Sequence, residues 1–324
     1  MEDEFVRNIN NIIASTGVLP VINIPDAELA EPLVGALIDG GMTAIEVTLR
    51  SDCSLESIRR IRAAYPDFVI GAGTVLTTAD ADNAAAAGAD FVVSPGFDPQ
   101  LVRDCLDKKL PIVPGCTSPS EMQAAVRLGL TVLKFFPAEL SGGMAAIKLL
   151  SGPFPKVKFV PTGGITLDNL GKYLASDRIL ACGGSFMATA EQVKSRDFAG
   201  ITASCKRCMD ISLGFELAHV GINHPDVNAA EANADKLGEI FRLPVKNGSS
   251  SLFAGGAVEF MKKPFYGTNG HIGFKTNSVA RALAYFEKNG YTVLEESIRS
   301  DETGLLSAYL ADEIGGFALH VVRK

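Results

Sequence analysis

No stretch of this chain gathers lysine and arginine into a block. Thirty basic residues are spread against 37 acidic ones, for a net charge of −7. A nucleic-acid binder is expected to carry a basic face, so nucleic acid is set aside as a partner. A small anionic substrate stays open, because it needs local rather than global positive charge. Also missing is any apolar run approaching the ~18 residues of a membrane helix, which argues against a membrane partner. The opening MEDEFVRNINN is acidic and lacks the apolar stretch of a secretory signal. Cysteine is sparse: six residues scattered through 324, which suits reduced thiols and a cytoplasmic location better than a disulfide scaffold. Cys205 and Cys208 form one CxxC with no second pair, and two thiols on one helix face is the default expectation. A GxGxxG fingerprint is absent. Histidine occurs four times, always after residue 210.

What remains is an ordinary globular composition, 47% hydrophobic and 21% charged, with length enough for roughly two domains. Eight short apolar runs, each followed by a helical stretch, fall between residues 17 and 187: GVLPVINI, AIEVTLR, VIGAGTV, FVVSPG, PIVPGC, TVLKFF, KFVPTGG and ILACGGSF. Val- and Ile-rich strands alternating with helices such as 27–40 and 119–128 signal parallel βαβ units. Eight of them predict an α/β fold, a (β/α)8 TIM barrel, with a helix over residues 3–14 capping its bottom. A doubly wound open sheet would carry fewer strands and an early glycine fingerprint. After a last helix and linker over 188–212 the pattern changes. Strand, helix and several strands occur twice, at about 50 residues per copy, an internal repeat. The boundary is placed near residue 210, giving domains 1–209 and 210–324.

Lys134 lies inside TVLKFFP, a run that otherwise predicts a strand buried on both faces. An ammonium in apolar surroundings costs several kcal/mol or more unless something compensates. Burial favours a neutral amine, which is what Schiff-base chemistry needs; an ion pair with a carboxylate, or snorkelling from the strand end, are the plainer alternatives. Strand alternation puts Glu46, Thr48 and Arg50 on the inward face of the second strand, and Val132, Lys134 and Phe136 on one face of the sixth. Catalytic groups of such barrels converge from the C-terminal ends of different strands, so Glu46 and Lys134 can meet, with Arg50 and Thr74 also inward. Glycine pairs follow the seventh strand (Gly163, Gly164) and the eighth (Gly183, Gly184, then Ser185). Loops there frequently cradle a phosphate, since glycine lets backbone N–H groups approach an anion. Tight turns alone would also account for them.

Residues 10–200 resemble the 2-keto-3-deoxy-6-phosphogluconate (KDPG) aldolase family, which also cleaves 4-hydroxy-2-oxoglutarate (KHG). The resemblance rests on IEVTLR, GAGTV, SPGF, PGCTSPSE, KFFPAE, PTGG and GGS, in that order. It implies a class I aldolase needing no metal cofactor, in which Lys134 forms an imine with the keto carbon of a small keto acid and Glu46 is the general acid/base. It further implies that Arg50 and Thr74 hold the carboxylate, that Pro95 and Phe136 pack on the pyruvyl unit, and that Thr162, Gly163, Gly164 and Ser185 line the phosphate-side end. A homotrimer is expected on the same ground. Another phosphate-binding barrel, an isomerase or synthase, would leave Lys134 unexplained. A non-catalytic sensor would leave the whole inward set without a purpose.

The repeat beyond residue 213 resembles the glyoxalase and vicinal-oxygen-chelate superfamily, a smaller α+β domain of two βαβββ modules around a cup for a divalent metal. His219, Glu259 and His271 match three of its ligand positions. The fourth, usually a Glu in the final strand, falls at Leu319 or its neighbour. His320 could substitute, although a one-residue shift turns a side chain to the opposite face. The expectation is a degenerate module that binds a small effector or shapes assembly, with a metal-dependent lyase or isomerase as the alternative. His224, in the loop NHPD, is expected at the surface.

Overall fold

The computed structural model describes residues 4–324, which divide into two compact units, one reaching to Ser212 and the other spanning Leu213–Lys324. The residue at position 3, the start expected for the first helix, lies outside the described residues.

In the first unit α1 (Glu4–Thr16) precedes eight strands and their helices: β1 (Val18–Ile22), α2 (Ala30–Asp39), β2 (Ala44–Thr48), α3 (Ser54–Ala64), β3 (Val69–Gly73), α4 (Thr78–Ala87), β4 (Phe91–Ser94), α5 (Pro99–Asp107), β5 (Ile112–Pro114), α6 (Pro119–Arg127), β6 (Val132–Phe135), α7 (Gly143–Ser151), β7 (Lys158–Pro161), α8 (Leu167–Leu174) and β8 (Cys182–Gly184). Two further helices close the unit, α9 (Ala190–Ser195) and α10 (Phe198–Leu213). All eight apolar runs are strands. Several of their helices begin where the sequence supplies a cap. Thr77 with Asp80 and Ser118 with Glu121 form capping boxes, and Asp98 caps α5 with Pro99 in its first turn.

Every strand pairing in this unit is parallel. A run of β5-β4-β3-β2-β1-β8 and the pair β6-β7 are joined into a ring by bridges between Gly115 and Lys134 and between Thr162 and Gly183. The ring is the expected TIM barrel. Its interior is filled from alternate positions, among them Leu19, Ala44, Phe91, Val113 and Val160, and α1 closes the bottom by adding Ile9 and Ile13 to the same core. Gly71 leaves the room that the Phe91 ring takes, because a Cβ there would stand 2.3 Å from the ring. Apolar filling of the lower barrel leaves the polar inward side chains for the upper end.

In the second unit two βαβββ modules follow one another. The first is β9 (Glu216–Asn223), α11 (Val227–Phe241), β10 (Val245–Asn247), β11 (Ser251–Ala254) and β12 (Val258–Met261). The second is β13 (Gly270–Thr276), α12 (Val279–Lys288), β14 (Val293–Asp301), β15 (Gly304–Ile314) and β16 (Phe317–Arg323). They share one eight-stranded sheet in the order β10-β11-β12-β9-β13-β16-β15-β14. The order is symmetric about its centre, where β9 and β13 run antiparallel, and in each module the last strand lies parallel to the first. First and last strands of both modules therefore occupy the middle of the sheet. Ala230 and Ala234 of α11 pack on Leu252, Ala254 and Phe260 to form the first module's core.

Candidate active site

Lys134 on β6 and Glu46 on β2 meet inside the barrel, with Nζ 3.2 Å from Oε1 and side-chain exposures of 8% and 2%. Each charge is expensive to bury alone, and together they compensate. The neighbouring strand makes the space. Gly73 of β3 lies beside the Glu46 carboxylate, and a Cβ on it would fall 2.1 Å from Oε1. The Phe136 ring stands beside it, its centroid 5.4 Å from the Lys134 Nζ, and a Cβ on Gly163 would stand 3.4 Å from the same ring. Lys134, Glu46, Phe136 and the glycine turn after β7 thus form one continuous surface.

The other expected residues lie just beyond the C-terminal ends of their strands. Arg50 is exposed and its Nε donates to Thr48 Oγ1 at 3.2 Å. Thr74, directly after β3, has φ 61°, a left-handed conformation that is strained for a β-branched residue, by about 1–3 kcal/mol. Strain of that kind clusters at functional sites. Pro95 follows β4, and its carbonyl lies against Gly115, the residue that bridges to Lys134. Thr162 is buried, with its hydroxyl filling the space beside Gly183, while Ser185 is exposed. Gly163 and Gly164 both have left-handed φ, 94° and 82°.

Two features were not anticipated from the sequence. One is Gly73, whose lack of a side chain is used by another strand. The other is a brace for the glycine turn. The N–H groups of Ala138 and Glu139 donate to the carbonyls of Thr162 and Gly163, at 2.8 and 3.1 Å. The buried Tyr173 hydroxyl on α8 donates to Glu139 Oε1. Burial, then the Glu139 charge, pushes the Tyr173 phenol well above its ordinary range and keeps it a donor.

In the second unit four side chains meet at the centre of the sheet. His219 Nε2 lies 3.2 Å from His271 Nε2 and 3.1 Å from His320 Nε2. Glu259 Oε2 lies 3.0 Å from His271 Nε2 and 3.5 Å from His219 Nε2. The position left open in the final strand is filled: His320, and not Leu319, faces the other three. Burial, with His271 and His219 beside it, lowers the His320 imidazole to about 3. Burial opposes ionisation of Glu259, but hydrogen bonds from His271 and Ser251 outweigh it and hold the carboxyl below its usual range.

His224 departs from expectation. It is buried, its ring against Phe260 and its Nδ1 3.1 Å from the Ile222 carbonyl, so the polar loop NHPD turns this side chain inward. Cys205 and Cys208 are buried on α10, and burial pushes both thiols up to about 12, which makes them inert packing groups.

Comparison with known proteins agrees with the barrel's geometry. Residues 9–204 match the family of KDPG and KHG aldolases. The 2-dehydro-3-deoxy-phosphogluconate aldolase of Treponema pallidum is 48% identical over 194 residues, 60% of this chain and 92% of its own. A solved KDPG aldolase from Legionella pneumophila, with pyruvate captured as a covalent carbinolamine, is 38% identical at a TM-score of 0.60, covering 61% of this chain and 96% of its own. The KDPG aldolase of Zymomonas mobilis solved with 3-phosphoglycerate is 39% identical at a TM-score of 0.60, over 64% of this chain and 97% of its own. The chain belongs to the KDPG and KHG aldolase family.

Proposed function

We propose that the barrel cleaves 2-keto-3-deoxy-6-phosphogluconate to pyruvate and glyceraldehyde 3-phosphate through a Schiff base on Lys134, and 4-hydroxy-2-oxoglutarate to pyruvate and glyoxylate. The observation that carries this reading is the buried Lys134–Glu46 pair at 3.2 Å. The chain is a class I aldolase, a carbon–carbon lyase, and a lysine imine needs no metal. Glu46 takes a proton from Lys134 Nζ, and the freed amine attacks the keto carbon to give a carbinolamine. Glu46 then protonates its hydroxyl, which leaves as water, and the iminium draws electrons from C3–C4 as that bond breaks. The C4 hydroxyl proton goes to the same carboxylate, and the aldehyde departs. The enamine is protonated at C3, and water returns to release pyruvate and the amine. A base within hydrogen-bond reach contributes ~10²–10⁴-fold to such steps.

Arg50 and Thr74 would hold the substrate carboxylate, Phe136 and Pro95 would bound the pyruvyl methyl, and Thr162, Gly163, Gly164 and Ser185 would receive the phosphate. The braced turn with two left-handed glycines supports the phosphorylated substrate as the preferred one. Borohydride reduction with pyruvate should add one reduced pyruvyl group to the peptide carrying Lys134; labelling elsewhere, or none, refutes the assignment. A kcat/KM comparison of the two substrates decides between them. A homotrimer is part of the proposal, supported by Leu140 and Leu149, which are 90% and 79% exposed on the barrel. Among the described residues no helix is long and apolar enough to cross a membrane.

A second reading applies to the C-terminal unit. The convergence of three imidazoles and a carboxylate favours a divalent metal over a degenerate effector module. Glycines fit the group too: a Cβ at Gly221 would stand 2.1 Å from the His271 ring, and one at Gly273 would stand 2.5 Å from His320 Nε2. Such an ion would supply Lewis acidity to an oxygen ligand at an open position.

A further inference from the structure

The loops that follow β6 and β7 are joined at the barrel mouth. The first carries Phe136 beside Lys134, and the second carries Gly163 and Gly164. Three successive carbonyls of the second loop are tied down. Thr162 accepts from the Ala138 N–H at 2.8 Å, Gly163 from the Glu139 N–H at 3.1 Å, and Gly164 from Asn169 Nδ2 at 2.9 Å. Carbonyl oxygens repel an anion and N–H groups attract it, so engaging all three carbonyls fixes which groups can turn toward a phosphate.

Side chains add a second tie, and glycines make room for it. A Cβ on Gly164 would stand 2.7 Å from both Cβ and Cγ of Glu139. One on Gly143, at the start of α7, would stand 3.0 Å from Glu139 Oε1 and 3.0 Å from the Tyr173 hydroxyl. Glu139 is exposed, whereas Tyr173 is only 1% exposed and lies on α8 with Leu170 and Leu174 also buried. A buried phenol has little conformational freedom and needs a hydrogen-bond partner. The Glu139 carboxylate, free to wander on a surface, thereby gains a fixed position from a ring in the core.

A plain core tyrosine would be satisfied by any acceptor. The acceptor here belongs to the residue whose own N–H holds Gly163. Glu139 is therefore held at both ends, and Tyr173 sits on the helix into which the glycine turn leads. Turn, helix, phenol and carboxylate form a closed circuit.

Taking the aldolase function as read above, we propose that Tyr173 and Glu139 are positioning residues. They fix the span between the Lys134 imine and the phosphate-side turn, and so favour the phosphorylated six-carbon substrate over 4-hydroxy-2-oxoglutarate. The shorter acid ends one carbon beyond C4 and has no group at the C6 phosphate position.

The test measures pyruvate release by the full chain with both substrates. Tyr173→Phe keeps the buried ring and removes the tie. It should raise KM for the phosphorylated substrate by about tenfold, the equivalent of losing a hydrogen bond to a charged group. Its kcat and KM for 4-hydroxy-2-oxoglutarate should stay within about twofold of wild type, with pyruvate still trapped on Lys134 by borohydride. Glu139→Ala, at an exposed position that should not compromise folding, should show the same split. Glu139→Gln keeps an acceptor for the phenol and should restore near-normal KM. An unchanged KM for the phosphorylated substrate in both Tyr173→Phe and Glu139→Ala would overturn the proposal. Equal losses on the two substrates would also overturn it, leaving a merely structural brace. Glu139→Gln as impaired as Glu139→Ala would overturn the hydrogen-bonded tie in favour of charge. Wild type that cleaves neither substrate and traps no pyruvate would overturn the aldolase function itself, and the proposal with it.

Discussion

Replacing Gly73 with alanine adds one methyl group to the barrel, and the structure says where it goes. The new Cβ would stand 2.1 Å from Glu46 Oε1 and 2.7 Å from its Cδ and Cγ, where ordinary contact begins at 3.4 Å. The carboxylate must therefore retreat by about 1.3 Å. It is only 2% exposed, so little free space is available, and the movement breaks its 3.2 Å contact with Lys134. Misplacing a reacting group by ~1 Å can cost ~10²-fold in rate. Overpacking a filled interior costs ~1–3 kcal/mol of stability. Gly73 has no left-handed φ, so backbone strain adds nothing. Gly73→Ala should therefore fold, lose about 100-fold in kcat for pyruvate release by the proposed base mechanism, and still form a borohydride-trappable imine with pyruvate. Lactate-dehydrogenase-coupled kinetics and intact-mass measurement read these two outcomes separately. A folded variant with kcat within about threefold of wild type would refute the idea that the Glu46 position controls turnover.

Two other outcomes arise from buried charge. Lys134→Met leaves Glu46 buried without its partner and should cost about 3–5 kcal/mol in denaturant unfolding, while Lys134→Met with Glu46→Gln should recover much of that loss; equal stability of single variant and wild type would contradict the pairing. In chelated protein the His219 and His320 imidazoles are depressed, by burial first, the latter from 6.5 to about 3. The folded state then binds fewer protons than the unfolded one below the ordinary imidazole range, so the C-terminal unit should be fully stable above pH ~6.5 and lose stability as pH falls toward 3. The depressed Glu259 carboxyl acts in the same direction. Denaturant midpoints of that unit that stay flat between pH 7.5 and 5 would contradict this.

Period and alternation made the barrel legible, because parallel strands buried on both faces read as apolar runs with few alternatives. The same alternation placed Glu46 and Lys134 on inward faces although 88 positions separate them. Gly73 was not legible as a site residue: its sequence neighbours say nothing about a carboxylate one strand away. His320 was ambiguous for a related reason. The stretch GGFALHV fits the strand in either of two registers, and only its pairing with β13, which sets His320 opposite Gly273, decides which side chain faces the cup. NHPD looked like an exposed turn because its neighbours are polar, but the Phe260 ring that covers His224 comes from a strand some 35 residues later.

The crossed arrangement of histidine and glycine across β9 and β13 makes the two modules interdependent. His219 and Glu259 belong to the first module and His271 and His320 to the second, and each module supplies the glycine that the other's histidine requires. Neither half can drift alone, since a side chain gained at one glycine is felt by a ring encoded 50 positions away. A chain severed between Met261 and Gly270 would give two fragments, each carrying half a cluster. The four side chains could then assemble only when the halves re-pair, which makes the cluster a built-in reporter of fragment complementation.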